Sequence, residues 1–385
     1  MVDSKATRPE CSEWPLEKKE AKRVSPSDRR RALSALLHRH GFMIGLFGVT
    51  VLTLADDAEM SVRWGLWLQA HHGPDAIIAA IFFFSGLTLK KETLWQGLVD
   101  LKAIGGALFL IFILAPLWAL ALAQWPMGPG LVAGLFLVAS MPTTLSSGVV
   151  MTGSAGGNTA TALLITIVSN MASVVVTPLL LEFLLGKTMK STTVVLDTRA
   201  LMVTLTFLVL TPLTLGMSLR RPFLSLMEGT RCPHPGTLNT LLVIMIVWLG
   251  VCGSRHTILR GLNLMPLVLA LAVVFHGGLL AGGFLMARSL GLSVGRREAV
   301  IFMGGQKTLP LSVLIQTAIF PQYGEALVLC VGHHLVHLIM DGGVLSLLKT
   351  AQSPSAHGMP QSAQWAVREA CDPVVKAQRD GKGLP

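Results

Sequence analysis

Ten apolar stretches set what this chain can become: about 41–55, 74–90, 103–123, 130–152, 157–184, 200–219, 238–253, 265–288, 296–319 and 324–348. A bilayer core holds no water for backbone N–H and C=O groups, so such stretches must satisfy their own and fold as helices. The longer ones match the roughly 20 residues that a helix needs to cross hydrocarbon. The shorter ones require close-packed neighbours and tilted packing. Alternation over about ten residues, the mark of a membrane barrel strand, is absent. Composition agrees, with 52% hydrophobic and 14% charged residues, against roughly a quarter charged in soluble domains. The expected fold is an all-α polytopic membrane protein with ten transmembrane helices over residues 41–348. A disordered N-tail at 1–40 and a C-tail at 349–385 flank them.

The net charge of +10 would by itself suit nucleic acid. Its distribution does not, because the basic residues lie in the tails and in short loops, with no compact basic patch or RNA-binding motif. Lys90, Lys91 and Lys102 follow the second stretch, Arg220, Arg221 and Arg231 the sixth, and Arg288, Arg296 and Arg297 the eighth. These loops share a side with the basic N-tail, and the first opposite loop carries Asp56, Asp57 and Glu59. Basic loops face the cytoplasm, so both termini are expected there, in a multi-pass protein of the plasma membrane. Lys187, Lys190, Arg199, Arg255 and Arg260 fall outside the bias. Trp64, Trp67, Trp95, Trp125 and Tyr323 sit near expected interfaces, where an amphipathic ring is at home. Glu182 reads as interfacial too.

The N-tail lacks a signal-peptide core, and Glu10, Glu13, Glu17 and Glu20 argue against an acid-poor transit peptide. Cys11, Cys232, Cys252, Cys330 and Cys371 show no metal spacing and require no disulfide. No nucleophile–base pattern, HExxH or phosphate loop occurs, so no enzyme, no metal centre and no cofactor is expected.

Two stretches are interrupted. In the fourth, SMPTTLSSGVVMTGSAGGN runs from Ser140 to Asn158; in the ninth, FMGGQKTLPLS runs from Phe302 to Ser312. Pro142 and Pro310 each remove a backbone donor. Thr143, Thr144, Ser146 and Ser147 offer groups that can satisfy a broken helix. Each break is fourth in a set of five, and an odd set makes the second half enter the membrane inverted. Paired interrupted helices in corresponding halves point to the binding site of a secondary transporter, with two ordinary proline kinks as the plain alternative.

The segments FFFSGLTLK (Phe82–Lys90), MPTTLSSGVVMT (Met141–Thr152), GGNTATALL (Gly156–Leu164), VVVTPLLL (Val174–Leu181) and FMGGQKTLPLS together resemble the bile acid:sodium symporter family, most closely its SBF-like branch. The likeness covers about residues 40–348. It implies two inverted five-helix repeats, about 41–184 and 200–348, whose fourth and ninth spans cross at unwound centres. A core domain of spans 3–5 and 8–10 would then move against a panel of spans 1, 2, 6 and 7. The departures bear on coupling. Sodium-coupled members carry an acid where Phe302 stands, Asn where Lys307 follows Gln306, and Asn where Gly148 follows Ser147. Thr166, Ser169 and Asn170 in the fifth stretch still offer oxygens, yet an ammonium repels sodium.

The candidate substrate and ion site is therefore Pro142, Thr143, Thr144, Ser146, Ser147, Asn158, Thr166, Ser169, Asn170, Gln306, Lys307 and Thr308. Lys307 reads either as an anion-binding or proton-switching group, or as a fixed cation in the place of sodium. His333, His337 and Asp341 share one helix face, and His334, His337 and Asp341 fit a second spacing. This polar stripe is the candidate proton path, or else a set of locally paired groups by a vestibule. His276 alone reads as a core histidine. The expected activity is secondary transport of a small organic, anionic solute, weakly or not sodium-coupled, with a proton link open. Sodium symport of organic anions such as bile acids is the alternative on the same fold, and a non-transporting membrane regulator or scaffold is the alternative from another class. Na+ or H+ is the coupling ion, and the partners are a small solute and the lipid bilayer, with a homodimer compatible.

Overall fold

The structure is a computed structural model that describes residues 41–42, 44–89, 100–188, 196–227, 235–260 and 262–352. The N-tail, the C-tail beyond Gln352, Lys90, Lys91, Trp95, Lys190, Arg231, Cys11, Cys232 and Cys371 lie outside them; residues 349–352 of the expected C-tail are helical. The chain divides into two units, Met1–Ile44 and Gly45–Pro385, and the architecture that follows is that of the second.

Every regular element among the described residues is helical. They are α1 (Ile44–Leu54), α2 (Met60–Ala70), α3 (Gly73–Thr88), α4 (Leu101–Leu122), α5 (Pro129–Ser140), α6 (Ser147–Ser154) and α7 (Thr159–Thr188). Next comes α8, which runs Thr198–Leu205, passes a π-turn at Thr206–Leu210 and continues over Thr211–Met227. Then follow α9 (Pro235–Arg260), α10 (Met265–Ser289), α11 (Arg297–Gly305), α12 (Leu309–Ile319) and α13 (Gly324–Gln352). Six of them, α4, α7, α8, α9, α10 and α13, are long and apolar enough to cross a membrane; α1, α3 and α5 are shorter apolar helices. Each of the ten apolar stretches thus contains helix. One helix was not expected: α2 buries Val62 and Gly65 and leaves Trp64 and Trp67 exposed.

Local chemistry sets the helix ends. Asp100 accepts from Ala103 N–H to cap α4, and Asp197 accepts from Ala200 N–H to cap α8. Prolines open α3, α5, α10 and α12, where a missing N–H costs nothing. Helix α5 stops at Met141, which is extended (φ −76°, ψ 147°) because a residue before proline is disfavoured in the helical region. Gly156 takes φ 73° just past α6, where its lack of Cβ permits the left-handed turn that closes the helix. Asn158 N–H then bonds Gly295 O at 2.6 Å, tying the α6–α7 turn to the α10–α11 turn.

Two packing groups result. Helix α3 packs on α8 and α9, and α2 packs on α9. Gly86 and Gly216 allow the α3–α8 approach: a Cβ on Gly216 would lie 2.1 Å from Phe83 O, and one on Gly86 2.3 Å from Leu213 O. The other group surrounds the breaks, with α5 on α13 and α7, α10 on α11 and α13, and α11 on α4 and α6. Helix α9 also touches α12 and α13. Asp100 joins α4 to the start of α11 through a two-pronged ion pair with Arg296, Nε to Oδ2 at 2.6 Å and Nη2 to Oδ1. The Arg296 hydrogen bonds hold the Asp100 carboxyl below its usual range.

Candidate functional site

The two breaks meet. Residues 141–146 between α5 and α6, and residues 306–308 between α11 and α12, are not helical, and Thr308 N–H bonds Pro142 O across them at 3.0 Å. The second break is narrower than its glycines and proline suggest. Gly304 and Gly305 remain inside α11, and Pro310 sits in the first turn of α12. Gly304 serves close packing instead, since a Cβ there would come 2.5 Å from Leu110 Cδ1 of α4.

Gln306 is the hub. Its Oε1 accepts from Thr144 Oγ1 at 2.5 Å and from Ser147 Oγ at 2.8 Å. Its Nε2 donates to Asp341 Oδ2 at 2.6 Å. Thr144 Oγ1 also accepts from Gly148 N–H at 3.1 Å and so caps α6. One side chain therefore joins both breaks to α13, and Gln306 and Asp341 are fully buried.

Lys307 is buried at 2% exposure. Its Nζ donates to Ile111 O at 2.8 Å, Ala139 O at 3.1 Å and Met141 O at 3.0 Å. Three carbonyl acceptors match the three protons of an ammonium. Ala139 and Met141 form the C-terminal end of α5, where the helix dipole is negative and favours a cation. Ile111 lies in a π-turn at Leu110–Leu114 inside α4, and such widened turns release a carbonyl from the regular ladder. Asp341 does not pair with Lys307; it accepts from His276 Nε2 at 3.0 Å as well as from Gln306.

The remaining sequence-derived residues divide. Asn170 Nδ2 donates to Thr143 O at 3.2 Å and Thr166 O at 2.8 Å, which brings α7 to the first break. Thr166 Oγ1 and Ser169 Oγ donate to carbonyls of their own helix. Asn170 Oδ1, Thr143 Oγ1 and Ser140 Oγ are buried without a hydrogen-bond partner among the described residues. Ser146 is exposed. Asn158 is not among the residues at the crossing: its Oδ1 accepts from Ala160 and Thr161 N–H and caps α7. Phe302 points into an apolar cluster with Ala155 and Leu348, so an acid at this register would meet hydrocarbon. A Cβ on Gly148 would lie 2.6 Å from Met303 Sδ and 3.1 Å from Gln306 Oε1, so Met303 fills the space of a side chain there.

His276 is the functional candidate that the sequence reading passed over. Its ring centroid lies 5.6 Å from those of His333 and His337, which are 5.5 Å apart, and His334 stacks edge-on to His337 at 4.5 Å. The signal available was Asp341 itself: a carboxylate in an apolar helix needs a partner on a facing helix. Glu182, by contrast, is exposed and accepts from Thr198 Oγ1.

Residues 40–349 match the SBF-like CPA transporter family. The chain is 32% identical over 286 residues to the "Probable sodium/metabolite cotransporter BASS4, chloroplastic" of Arabidopsis thaliana, covering 69% of this chain and 64% of that protein. It is 31% identical over 287 residues to the protein of that name in Oryza sativa subsp. indica, covering 69% and 66%. The match thus spans just under two thirds of the length of these plant relatives. The chain is also 27% identical over 333 residues to "Sodium/bile acid cotransporter 7" of Danio rerio, covering 83% of this chain and 97% of that one. A multi-pass helical membrane protein with this match over most of its length belongs to the SBF-like CPA transporter family.

Proposed function

We propose that the chain is a secondary transporter that moves a small organic anion by alternating access at the crossing, without sodium. One observation carries the reading: two helix breaks meet through Thr308 N–H and Pro142 O, with Gln306, Thr144 and Lys307 buried and Ser147 half-buried between them. Irregular backbone at membrane depth is tolerated only when protein buries it or it lines a cavity. In transporters such half-helix ends face the solute.

Counting α5 with α6 and α11 with α12 as single spans, and α2 as none, makes ten crossings in two inverted sets, about 41–184 and 200–348. The packing groups then correspond to a panel that holds α3, α8 and α9 and a core that holds both breaks. Both termini face the cytoplasm, and the plasma membrane is the proposed location. Anion preference follows from the N-termini of α6 and α12, which end at the crossing and favour negative charge. The relatives are named for metabolites and bile acids, which supports an organic solute. Their names also carry sodium, and here this chain departs. The ammonium of Lys307 holds three carbonyls at the crossing, and no carboxylate stands at Phe302.

Full-length protein in liposomes, offered radiolabelled taurocholate and smaller carboxylates and sulfonates, tests this. Saturable uptake that persists when choline replaces sodium is expected. Uptake of none of these anions favours the scaffold reading, and uptake that rises steeply with sodium contradicts the coupling.

A further inference from the structure

We propose that Asp341 and His276 bind the coupling proton of this carrier, and that Gln306 transmits its presence to the solute-facing hydroxyls of Thr144 and Ser147. The inference rests on the transporter reading for its purpose but not for its chemistry.

The geometry is a chain of contacts from helix to helix. His276 Nε2 on α10 meets Asp341 Oδ1 on α13 at 3.0 Å. Asp341 Oδ2 accepts from Gln306 Nε2, and Gln306 Oε1 accepts from Thr144 and Ser147. His276, His337 and Asp341 are completely buried, and His333 nearly so. Among the described residues, His276 Nδ1 and His333 Nε2 have no hydrogen-bond partner, and the His337 ring reaches at most the His333 backbone of its own helix. Buried polar atoms are nearly always paired, so unpaired ring nitrogens in the imidazole cluster that His276 joins to Asp341 mark a place that receives something. Imidazole nitrogens beside a carboxylate accept protons.

The surrounding charges leave Asp341 as the group that can take this role. Helices α5, α6 and α12, which pack on α13, carry no titratable side chain. Helix α9 contributes Arg255, which is bound to Glu59 and to carbonyls at the end of α1, Cys252, which faces Ser61, and His256 and Arg260, which are exposed. Helix α10 contributes His276 and, in its last turn, Arg288, and α13 itself adds Glu325 beside Gly130, Cys330, His333, His334, His337 and, in its last turn, Lys349. Glu298 of α11 is held by Gly295 N–H and Arg297. The Lys307 ammonium is taken up by three carbonyls.

The step involves one proton and no change at carbon. In the ionised state Asp341 accepts from His276 Nε2–H and from Gln306 Nε2–H. A proton arriving from one side of the membrane adds to Oδ2, which turns that oxygen from acceptor to donor. Gln306 N–H then loses its partner and the amide turns. Thr144 and Ser147 lose their shared acceptor, and their hydroxyls become available to the solute. On the opposite side the proton leaves Oδ2 through the histidine nitrogens to water, so one proton enters and one leaves per cycle.

The test reads proton binding with the proton as the only probe. Full-length protein in lipid nanodiscs is titrated over roughly pH 4 to 9 by infrared difference spectroscopy, a span that brackets ordinary imidazole titration. A carboxylic C=O band that appears on acidification, is absent in Asp341→Asn and moves in midpoint by about one pH unit or more in His276→Gln is expected. Asn at 341 can still accept from Gln306 and donate to the other His276 tautomer, so the fold should survive. If Asp341→Asn does not fold, the His276→Gln midpoint decides alone. A band unchanged in either folded variant, or no titrating carboxyl at all, overturns the proposal. Because no solute is present, this failure removes the coupling ion and leaves the carrier reading standing. Failed solute uptake would do the reverse.

Discussion

Lys307 is a buried cation whose three donors meet three backbone carbonyls. A buried charge is costly unless paired or fully hydrogen-bonded, and here the bonds and the end of α5 supply the compensation. The arrangement favours a fixed cation over a switching lysine that passes protons to the histidines. Lys307→Met would leave Ile111 O, Ala139 O and Met141 O without this donor, and a destabilisation of about 3 kcal/mol or more is expected, read as a fall in melting temperature in detergent. Lys307→Arg keeps the charge but brings a planar fork that does not match three convergent carbonyls. It should lower the melting temperature while leaving the pH dependence of uptake unchanged. An altered pH profile in Lys307→Arg would restore titration of this side chain as the mechanism. Asp341 and His276, on α13 and α10, are where pH dependence should be lost.

Among helices, glycine contacts and caps hold the packing, and their loss should be graded by what a new atom meets. Gly216→Ala places a Cβ 2.1 Å from a backbone oxygen of α3. The α3–α8 pair must separate, at about 1–3 kcal/mol or more. Gly105→Ala, on a face of α4 with none of the described residues within 4 Å, should leave stability unchanged or raise it by up to about 1 kcal/mol. Equal melting temperatures for the two variants would contradict the packing account. Asp100 caps α4 and pairs with Arg296 at the start of α11. Asp100→Ala should cost about 1–2 kcal/mol at neutral pH. The sign of its acid dependence follows from the depressed carboxyl. The stabilisation is present above the unfolded value of about 3.9 and is lost as pH falls through the folded value. Wild type and variant should therefore converge only in strong acid, as thermal melts at stepped pH would show.

The same helices show which parts of the fold and site were legible in the sequence. Apolar length marked all ten stretches, and Pro142 placed the first break because the residue before a proline leaves the helical region. The second break shrank to 306–308 because Gly304 and Gly305 are tolerated in a helix, Gly304 where close packing on Leu110 demands it. Helix α2 was missed because its tryptophans read as loop anchors and its buried face is only Val62 and Gly65. Asn158 looked like a ligand beside a broken helix, yet the same residue type is a preferred cap. The partners of Lys307 are backbone carbonyls, and no side-chain pattern announces them. His276 needed Asp341, which lies far along the chain and meets it only through the packing of α10 on α13.

For the whole molecule, the contacts describe two helical groups, one of which surrounds the polar crossing, and the proposed cycle moves one against the other. The native cysteines must first be removed, including buried Cys252 and Cys330. Ser147→Cys then places a thiol beside Gln306 at the crossing. Labelling in oriented vesicles with a membrane-impermeant maleimide, applied to one face and then to the other, asks directly whether this point opens to both sides. Alternating access predicts labelling from each face, and a pH step that strengthens one should weaken the other. A thiol reached from neither face, or from one face at every pH, would contradict the account.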